Sequence, residues 1–456
     1  MSQTFVSIDP TTGRELARHA ALDDDARAHA LDRAQEAFLR WRQVSLAQRA
    51  QILLAVARQL EFEQRDVAAV ITREVGKTFK DALGELKKCI STTRWFAEHG
   101  PALLADERAE TEAQSSYVRY EPLGVLLAVM PWNFPFWQVF RFGIPALLAG
   151  NTILIKHAPS TMGSSARLEA VFRQAGAPRG LVTHFPIAIE DVPAVAADAR
   201  VRGMTFTGST ATGRILAKLA GEHAKPIVLE LGGSDPFIVM PSADLDQTVK
   251  MAVLARIQNA GQSCIAAKRF LVHASIYDTF ATKLTAAMQA LRVGDPMDES
   301  VDMGPLSTDL ARQRLLAAID ASVAAGATLL AGGRALPGPG FFVAPTVLGD
   351  VPATAPAATE ELFGPVCALF RVADLDGAIQ LANSSTFGLS ASIWTADASE
   401  AERAIAGIDA GSVFVNAMPR SDARLPFGGT KASGFGRELG RAGLHAFTNP
   451  KTIWIS

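Results

Sequence analysis

The sequence predicts an α/β protein with two sheet-containing lobes, and three observations support this. Residues 124–231 alternate between short apolar runs, typical of buried strands, and longer runs with apolar residues at helical spacing. A second alternating series runs from 236 to about 420. At 456 residues the chain exceeds a single hydrophobic core, so two or three units are expected.

Residues 20–100 are predicted to form helices that precede the first lobe. The stretch LAQRAQILLAVARQLE places Leu46, Leu53 and Leu60 on one stripe, with charged residues off it. The next segment, 104–121, is polar and partly alternating, which predicts an exposed hairpin. Because an isolated hairpin is marginally stable, contact with another subunit is one way to stabilise it.

From residue 124 the predicted strands and helices follow one another closely. GVLLAV and TILIK read as strands, and the helix between them stops at a glycine; the next helix has Ser160 or Thr161 as its cap. LVTHF, VRGMTF and PIVLEL continue the strands. This repetition predicts a parallel sheet with ligands at the carboxyl ends of its strands. Later, LPFGGTKASGFGREL is expected to cross between lobes, and HAFTNPKTIWIS to end the chain as a strand.

Composition excludes several functional classes. The formal charge is −2 and no long basic run occurs, so neither nucleic acid nor an anionic membrane surface is indicated as a partner. No segment has the roughly 18 apolar residues of a membrane span, and the N-terminus does not resemble a secretory signal. Three cysteines without paired spacing favour a reducing compartment, so the cytoplasm is expected. The histidines do not cluster at metal-ligand spacing, and no metal site is expected.

Cys264 lies in the small-residue segment NAGQSCIAAKR, after a predicted helix capped by Asp244. A lone cysteine is often only a small buried hydrophobe. Its neighbours 261–263, Gly-Gln-Ser, suit close approach of backbone to a ligand better than core packing. Cys89 in a helical run and Cys367 in an apolar strand-like run are interpreted as packing residues.

Three more sites in the sequence each allow either a structural or a functional interpretation. FTGSTATG, residues 206–213, is either a phosphate-binding turn or an ordinary helix cap, and it is not the GxGxxG fingerprint. Glu230 at the end of PIVLEL is either a proton-transfer group or a salt-bridged strand terminus. Asn133 in MPWNF is either an oxyanion donor or a turn residue.

Taken together, MPWNFPF, FTGST, LELGGSDP, GQSC, EELFGP and PFGGTKASGFGREL resemble the NAD(P)-dependent aldehyde dehydrogenase superfamily over essentially the whole chain. Through IKHAPS, ELGGSDPFIV and CIAAKRF the nearest likeness is to bacterial succinate-semialdehyde dehydrogenases. The resemblance implies a homo-oligomer, dimer or tetramer, with three units. They are a Rossmann-type cofactor domain (1–103 and 123–231), an α/β catalytic domain (232–436) and bridging elements (104–122 and 437–456).

The resemblance also implies a mechanism. Cys264 would attack an aldehyde to give a thiohemiacetal, and hydride transfer to the nicotinamide would leave a thioester. Glu230 would activate the water that hydrolyses the thioester, while Asn133 and the Cys264 N–H hold the oxyanion. A glutamate at 230 fits water better than coenzyme A as acyl acceptor. A thiol hydrolase acting without cofactor is the alternative.

For the cofactor, the resemblance assigns Lys156 to the adenosine ribose, and Gly208 and Ser209 to the pyrophosphate. It assigns Glu361 to the nicotinamide ribose and Phe363 to the wall of the nicotinamide pocket. Trp132 and Leu231 are the other expected cofactor positions. NAD-preferring relatives usually carry a glutamate three residues after the lysine, and here Pro159 occupies that place. Without that carboxylate a 2′-phosphate is not repelled, so NADP is expected to be accepted as well as NAD.

For the substrate, the resemblance assigns the distal carboxylate of a small aldehyde to Arg141, assisted by Ser421. An arginine that some members carry six residues before the cysteine is Gln258 here. Succinic semialdehyde is the expected substrate and glutaric semialdehyde the alternative. Arg141 could instead pair with a neighbouring acid.

Overall fold

A computed structural model describes residues 3–456 and confirms the predicted α/β class. The strands within this range are β1 Thr4–Ile8, β2 Glu15–Ala20, β3 Glu107–Arg108, β4 Ser115–Pro122, β5 Val125–Val129, β6 Thr152–Lys156, β7 Val182–His184, β8 Val201–Thr207, β9 Ile227–Glu230, β10 Asp235–Val239, β11 Ala267–His273, β12 Thr328–Ala331, β13 Thr346–Gly349, β14 Val366–Val372, β15 Phe387–Gly388, β16 Ser390–Trp394, β17 Ser412–Val415, β18 Thr430–Lys431, β19 Gly434–Phe435 and β20 Thr448–Ile455. The helices are α1 Asp24–Trp41, α2 Leu46–Val75, α3 Phe79–Leu103, α4 Trp137–Ala149, α5 Met162–Gln174, α6 Val192–Ala197, α7 Thr210–Glu222, α8 Leu245–Ile257, α9 Tyr277–Gln289, α10 Asp309–Ala324, α11 Pro356–Thr359, α12 Leu375–Asn383, α13 Ala398–Gly407 and α14 Gly440–His445.

The first large sheet has six strands in the order β19-β9-β8-β5-β6-β7. Neighbours among β5 to β9 are parallel, and β19 adds to the edge antiparallel to β9. The chain starts this sheet in the middle at β5, adds β6 and β7 on one side, and then returns to add β8 and β9 on the other. The order therefore reverses between β5 and β8. Open α/β sheets bind ligands outside the carboxyl ends of the strands at such a point.

The second large sheet has seven strands in the order β12-β13-β14-β11-β10-β16-β17, parallel except for β12. Every residue of β10 and β16 is buried, as expected for a parallel sheet covered on both faces. The loops that enter β10, β11 and β14 carry Gly233, Cys264 and Glu361. These residues thus lie before strands of the second sheet, whereas the site residues of the first sheet follow its strands.

A third sheet contains β3, β4 and β20, and β20 pairs with β4 over its whole length. The hairpin predicted at 104–121 and the predicted terminal strand are therefore confirmed. The segment predicted to cross between lobes also does so, because β18 pairs with β15 while β19 pairs with β9. The division into three units at residues 103, 122, 231 and 436 stays a prediction; β19, which lies within the predicted catalytic domain, pairs with β9 of the predicted cofactor domain.

Some helices are capped by an adjacent residue, which the sequence can indicate, and others by a side chain from far along the chain. Asp244 caps α8 as predicted, accepting a backbone N–H at 3.1 Å. Of the two caps predicted for α5, Thr161 is the residue at the cap position, but its side chain does not cap the helix, because the Thr161 hydroxyl donates to the Ala158 carbonyl; Ser160 lies inside a 3₁₀ turn. The carboxylate of Glu74 on α2 instead accepts the N–H groups of Gly163 and Ser164, the second and third residues of α5, both at 2.8 Å. A cap supplied from so far along the chain has no local sequence signal.

Glu85 on α3 fixes the beginning of α4 in the same way. Its Oε1 accepts the N–H groups of Phe136 and Trp137, and its Oε2 accepts Lys77 Nζ at 2.7 Å. All of these side chains are buried or nearly so. Every residue of α4 is buried as well, so this cap sets the position of both the preceding loop, with Asn133, and Arg141 on the helix.

None of the helices between residues 3 and 456 combines the length and apolar character that a membrane crossing requires.

Candidate active site

Cys264 lies where two cavities meet. The first, of about 530 Å³, extends from Gly208 and Ser209 at the start of α7 to Cys264, and we call it the α7 cavity. The second, of about 430 Å³, is bordered by α3 and reaches Cys264 from another side, and we call it the α3 cavity. Gln138 and Cys264 line both. A group held in either cavity can therefore approach the same sulfur atom.

The loop that carries Cys264 begins with an unusual turn. Asn259, Ala260 and Gly261 all have positive φ angles, 53°, 52° and 76°. Positive φ costs a non-glycine residue about 1–3 kcal/mol, so the surroundings must hold this turn in place. A side chain at Gly261 would in addition collide with the carbonyl of Gly364. The turn reverses the chain between α8 and β11 and leaves Cys264 at the junction of the cavities.

Two buried cations hold this loop from beneath. Lys268 Nζ donates to the carbonyls of Ser263, Cys264 and Ala266 at 3.0, 2.8 and 3.2 Å. Arg256 donates to the carbonyls of Gly261 and Leu362 and to that of Gly364. With their carbonyls occupied in this way, the loop residues keep one backbone orientation, and the N–H of Cys264 donates to no other group within residues 3–456.

The thiol of Cys264 is protonated at neutral pH. Burial raises its pKa to about 12, against the lowering effects of Arg141 and Lys268. Because only the thiolate is strongly nucleophilic, the reaction needs a base near this sulfur. The buried Cys89 and Cys367 also have raised pKa values, and neither lines the α7 or the α3 cavity.

Glu230 lines neither cavity, but its charge acts on the Cys264 thiol and it has the properties of a base. It is 2% exposed, and its Oε1 has no hydrogen-bond partner within residues 3–456. Burial, opposed by Arg141 and assisted by the charge of Glu438, raises its pKa well above the usual value. Gly428, at φ 152°, makes room for this carboxyl, because a Cβ there would lie 2.7 Å from Oε1.

Arg141 joins Glu230 to a second buried carboxylate. Its Nε donates to Glu438 Oε2, and its Nη2 lies 3.9 Å from Glu230 Oε2 and 3.3 Å from Thr207 Oγ1. One cation thus serves two acids, and the closer contact favours ionised Glu438. Glu230 is consequently the acid that more readily keeps a proton. The pairing of Arg141 with an acid, stated above as the alternative, is present in the structure.

Asn133 and the Cys264 loop touch directly. Asn133 Nδ2 donates to the carbonyl of Gln262 at 3.1 Å, and its carbonyl accepts from Asn259 Nδ2 at 3.0 Å. The buried Asn133 side chain lines the α7 cavity beside Cys264. An amide nitrogen has two protons, so the second remains available to an oxyanion.

The α7 cavity contains most of the positions predicted for a cofactor. Trp132 and Phe363 form part of its wall, with ring centroids 5.8 Å apart and planes at 88°. Glu361 accepts the N–H of Gly233 at 3.1 Å and lies 3.6 Å from Lys268 Nζ, so the acid predicted for a ribose is joined to the Cys264 loop. The remaining predicted lining residues are Gly208, Ser209 and Leu231.

These groups fit a dinucleotide. The start of α7 offers N–H groups to phosphate, the carboxylate accepts hydroxyls, and the aromatic walls suit a flat ring. Lys156 and Pro159 do not line this cavity but lie at the same sheet edge: Lys156 ends β6 beside Val129 of β5, and Pro159 is exposed in the following turn. Burial lowers the pKa of Lys156, which is 6% exposed.

The α3 cavity brings together the predicted substrate residues Arg141, Gln258 and Ser421. It also contains Lys88, which sequence reasoning missed. Lys88 Nζ donates to Ser421 Oγ at 2.6 Å and lies 4.4 Å from the centre of the Trp137 ring. Burial and the charge of Arg141 lower the pKa of Lys88 to about 8.

The other residues that sequence reasoning missed are Lys268, Arg256 and Glu438. Lys268 and Glu438 lie inside motifs that carried the resemblance, CIAAKRF and SGFGREL, and a charge within an apolar or glycine-rich run was the available signal. No comparable signal exists for Arg256 or Lys88, which look like solvent-facing residues of predicted helices.

Comparison with known proteins gives a consistent result. Residues 1–453 match the model of the aldehyde dehydrogenase family. The chain is 49% identical over 455 residues to a succinate-semialdehyde dehydrogenase [NADP(+)] of Mycobacterium avium, covering 99% of this chain and 96% of that protein. It is 47% identical to a probable succinate-semialdehyde dehydrogenase [NADP(+)] of Synechocystis, covering 99% of this chain and all of that protein.

Among solved structures, that of succinic semialdehyde dehydrogenase from Streptococcus pyogenes in complex with NADP+ is similar to this chain. The TM-score is 0.97 at 36% identity, with 99% of each chain covered. PnpE in complex with nicotinamide adenine dinucleotide gives a TM-score of 0.96 at 32% identity, with 99% of this chain and 94% of that chain covered. The chain belongs to the aldehyde dehydrogenase family.

Proposed function

We propose that this aldehyde dehydrogenase oxidises succinic semialdehyde to succinate with NADP as its preferred cofactor. The observation that carries the proposal is the position of Cys264. Of the described residues, it alone has a nucleophilic side chain and lines both the α7 cavity and the α3 cavity. A cofactor in the first cavity and an aldehyde in the second both reach its sulfur. The names of the relatives support this substrate and this cofactor.

The first chemical step is attack of Cys264 on the aldehyde carbon. The thiol proton leaves to the ionised form of Glu230, whose pKa is raised by burial so that it holds a proton more strongly than an exposed carboxylate does. The aldehyde oxygen becomes negative as the C–S bond forms. Asn133 Nδ2 and the N–H of Cys264 donate to it, and the loop that holds both is fixed by Lys268.

The residues of the α7 cavity would hold a nicotinamide cofactor, which when bound would accept the hydride that leaves the thiohemiacetal carbon. Trp132 and Phe363 would limit the space available to its ring, and Glu361 would bind its ribose. What remains on Cys264 is a thioester. The thiol proton first passes from Glu230 to solvent, and the carboxylate then takes a proton from water, which attacks the thioester carbon. The C–S bond breaks, the acid is released, and the proton held by Glu230 returns to the sulfur.

We propose NADP preference because of position 159. Pro159 supplies no carboxylate near the end of β6, so nothing there repels a 2′-phosphate, while Lys156 provides a nearby positive charge. The NADP(+) specificity in the names of the relatives supports the same choice.

We further propose that the protein is a cytoplasmic homo-oligomer. Its three cysteines are unpaired, as suits a reducing compartment. The sheet of β3, β4 and β20 leaves Trp454 and Ile455 about half exposed, so a second copy could cover them. Light scattering on the purified protein should give a dimer or tetramer, and a monomer at micromolar concentration would contradict this part.

The central test is a panel of aldehydes with both cofactors. Succinic semialdehyde, glutaric semialdehyde and butanal are each mixed with enzyme and either NADP or NAD, and reduced nicotinamide is followed by absorbance. We expect the highest kcat/KM for succinic semialdehyde with NADP. No aldehyde-dependent absorbance would contradict the enzyme class, a higher kcat/KM for glutaric semialdehyde would change the substrate, and a preference for NAD would remove the argument from Pro159.

A further inference from the structure

The α3 cavity has several charged side chains, and its acids already have partners. Glu85 accepts the N–H groups of Phe136 and Trp137 at the start of α4 and a hydrogen bond from Lys77 Nζ. Asp81 accepts the N–H of Asn259 at 3.1 Å. Arg141 is bonded to Glu438 and lies near Glu230. The strongest cation of the cavity is therefore largely neutralised before any substrate arrives.

Lys88 differs from Arg141 in this respect. Its ammonium forms no ion pair with a carboxylate anywhere in residues 3–456, and the partners it has are uncharged: the Ser421 hydroxyl and the Trp137 ring. An ammonium has three protons and donates one to Ser421 Oγ, so two are available. The Ser421 hydroxyl accepts from Lys88 and can donate its own proton to another acceptor.

A carboxylate is the ligand that satisfies this pair. It accepts from the ammonium and from the hydroxyl together, and it restores charge balance to a half-buried lysine. At Gly84, one turn before Lys88 on α3, a Cβ would meet nothing within 4 Å, so this part of the cavity is open. The route to Lys88 is not blocked by a side chain there.

We propose that Lys88, with Ser421, is the principal binding group for the distal carboxylate of the substrate. Arg141, which is already paired with Glu438, contributes a partly neutralised positive charge. The inference deepens the proposed function and depends on it. It also explains the uncharged Gln258: Lys88 lines the same cavity from α3 and supplies a positive charge that Gln258 cannot. The substrate class is an aldehyde with an anionic group at its other end.

The test compares Lys88→Met with the native enzyme on two aldehydes, succinic semialdehyde and butanal, with NADP. Loss of a charged hydrogen bond should lower kcat/KM for succinic semialdehyde by about 10- to 100-fold. For butanal, which has no carboxylate, the change should stay within about threefold, because methionine fills a similar volume. Lys88→Arg keeps the charge and should recover part of the loss.

The matched control is Lys250→Met. Lys250 lies on α8, is exposed and has the same charge, but it lines neither the α7 cavity nor the α3 cavity and does not contact Ser421. Its removal should change kcat/KM for succinic semialdehyde less than threefold. Equal losses on both aldehydes in Lys88→Met, or equal losses in the two methionine variants, would overturn the inference.

The two proposals fail in distinguishable ways. If the native enzyme does not oxidise succinic semialdehyde, the proposed substrate is wrong. If it does, and Lys88→Met keeps the native ratio of kcat/KM between the two aldehydes, only the role of Lys88 is wrong. Should Lys88→Met fold poorly, Ser421→Ala gives a second measurement, with the same direction and a loss of about 3- to 30-fold expected for succinic semialdehyde alone.

Discussion

The two cavities that meet at Cys264 recognise their ligands by different means. The α7 cavity uses the start of a helix, glycine backbone and aromatic walls, and one of the two acids that line it, Glu361, is fixed by Gly233 and Lys268. The α3 cavity uses long charged side chains whose mutual pairing decides which of them is free. Backbone recognition depends on the fold, whereas side-chain recognition can change with one substitution. The cofactor side should therefore be the less variable of the two.

The largest effect is expected from replacing the sulfur atom of Cys264, which both cavities share. Cys264→Ser should lower kcat by more than about 10⁴-fold, because the hydroxyl is a much poorer nucleophile at neutral pH. Binding of NADP, followed by quenching of tryptophan fluorescence, should stay close to native, because the walls of the α7 cavity are unchanged. Oxidation at more than a tenth of the native rate would contradict the role of Cys264.

Glu230→Gln should have the second largest effect. The amide cannot take a proton, so kcat should fall by about 10²–10⁴-fold. A rapid burst of one equivalent of reduced cofactor, followed by slow turnover, would show that thioester hydrolysis is the step affected. Absence of a burst would place the loss at thiol deprotonation. A native steady-state rate would contradict both roles; Glu222→Gln, at an exposed acid on α7, serves as the control.

Asn133→Ala should lower kcat by about 10²–10³-fold, the usual cost of one oxyanion donor. Since Asn133 also bonds the Gln262 carbonyl, the variant needs a thermal unfolding measurement to show that the loop is intact. The loss should be similar for succinic semialdehyde and butanal, because the oxyanion is common to both. A loss confined to one aldehyde would assign Asn133 to substrate selection instead.

The smallest expected effect is a change of substrate selectivity with pH, which arises in the α3 cavity alone. The pKa of Lys88 is lowered to about 8, so its charge is present below this pH and is lost as pH rises through it. The ratio of kcat/KM for succinic semialdehyde to that for butanal should therefore fall several-fold between pH 7 and 9. Ionisation of Cys264 and Glu230 affects both aldehydes and cancels in the ratio. A ratio that stays constant with pH would contradict this titration.

The groups that face Lys88 make this assignment specific. On its own helix the neighbour is Cys89; α4 contributes Arg141, the Cys264 loop contributes Cys264, and the segment before β18 contributes Asp422. Of these, Asp422 has a lowered pKa of about 2 and Cys264 a raised one of about 12, so neither changes charge between pH 7 and 9. Cys89 has a pKa raised well above its usual value, and Arg141 stays charged.

Much of the fold was predictable because its signals are local. Periodicity identified the alternating strands and helices from β5 to β9, and Asp244 identified the start of α8. The start of α5 shows the limit: Thr161 is at the predicted cap position, but the side chain that accepts the helix N–H groups is that of Glu74 on α2, and nothing near Ser160 indicates it. Hydrogen bonds between distant parts of the chain follow from topology, which hydrophobic patterns do not specify.

For the active site, sequence reasoning could find residues in motifs but not their charge state. Cys264, Glu230 and Asn133 were selected by their positions at strand ends and in glycine-rich loops, and the resemblance gave their roles. The pairing of charged groups depends on three-dimensional neighbours. Arg141 is paired with Glu438, whereas Lys88 is not paired with any acid of the described residues. Such pairing decides which cation can bind a ligand.

The strand β19 has a further consequence for the order of assembly. It pairs with β9 directly beside Glu230, and the residues just after it supply Glu438 to Arg141, whose position lies 297 residues earlier in the chain. Until that segment docks, Arg141 has Glu230 but not the second acid beside it. The charge environment of the base is therefore completed by a contact between two segments 297 residues apart, and it forms only when both are in place on the first sheet.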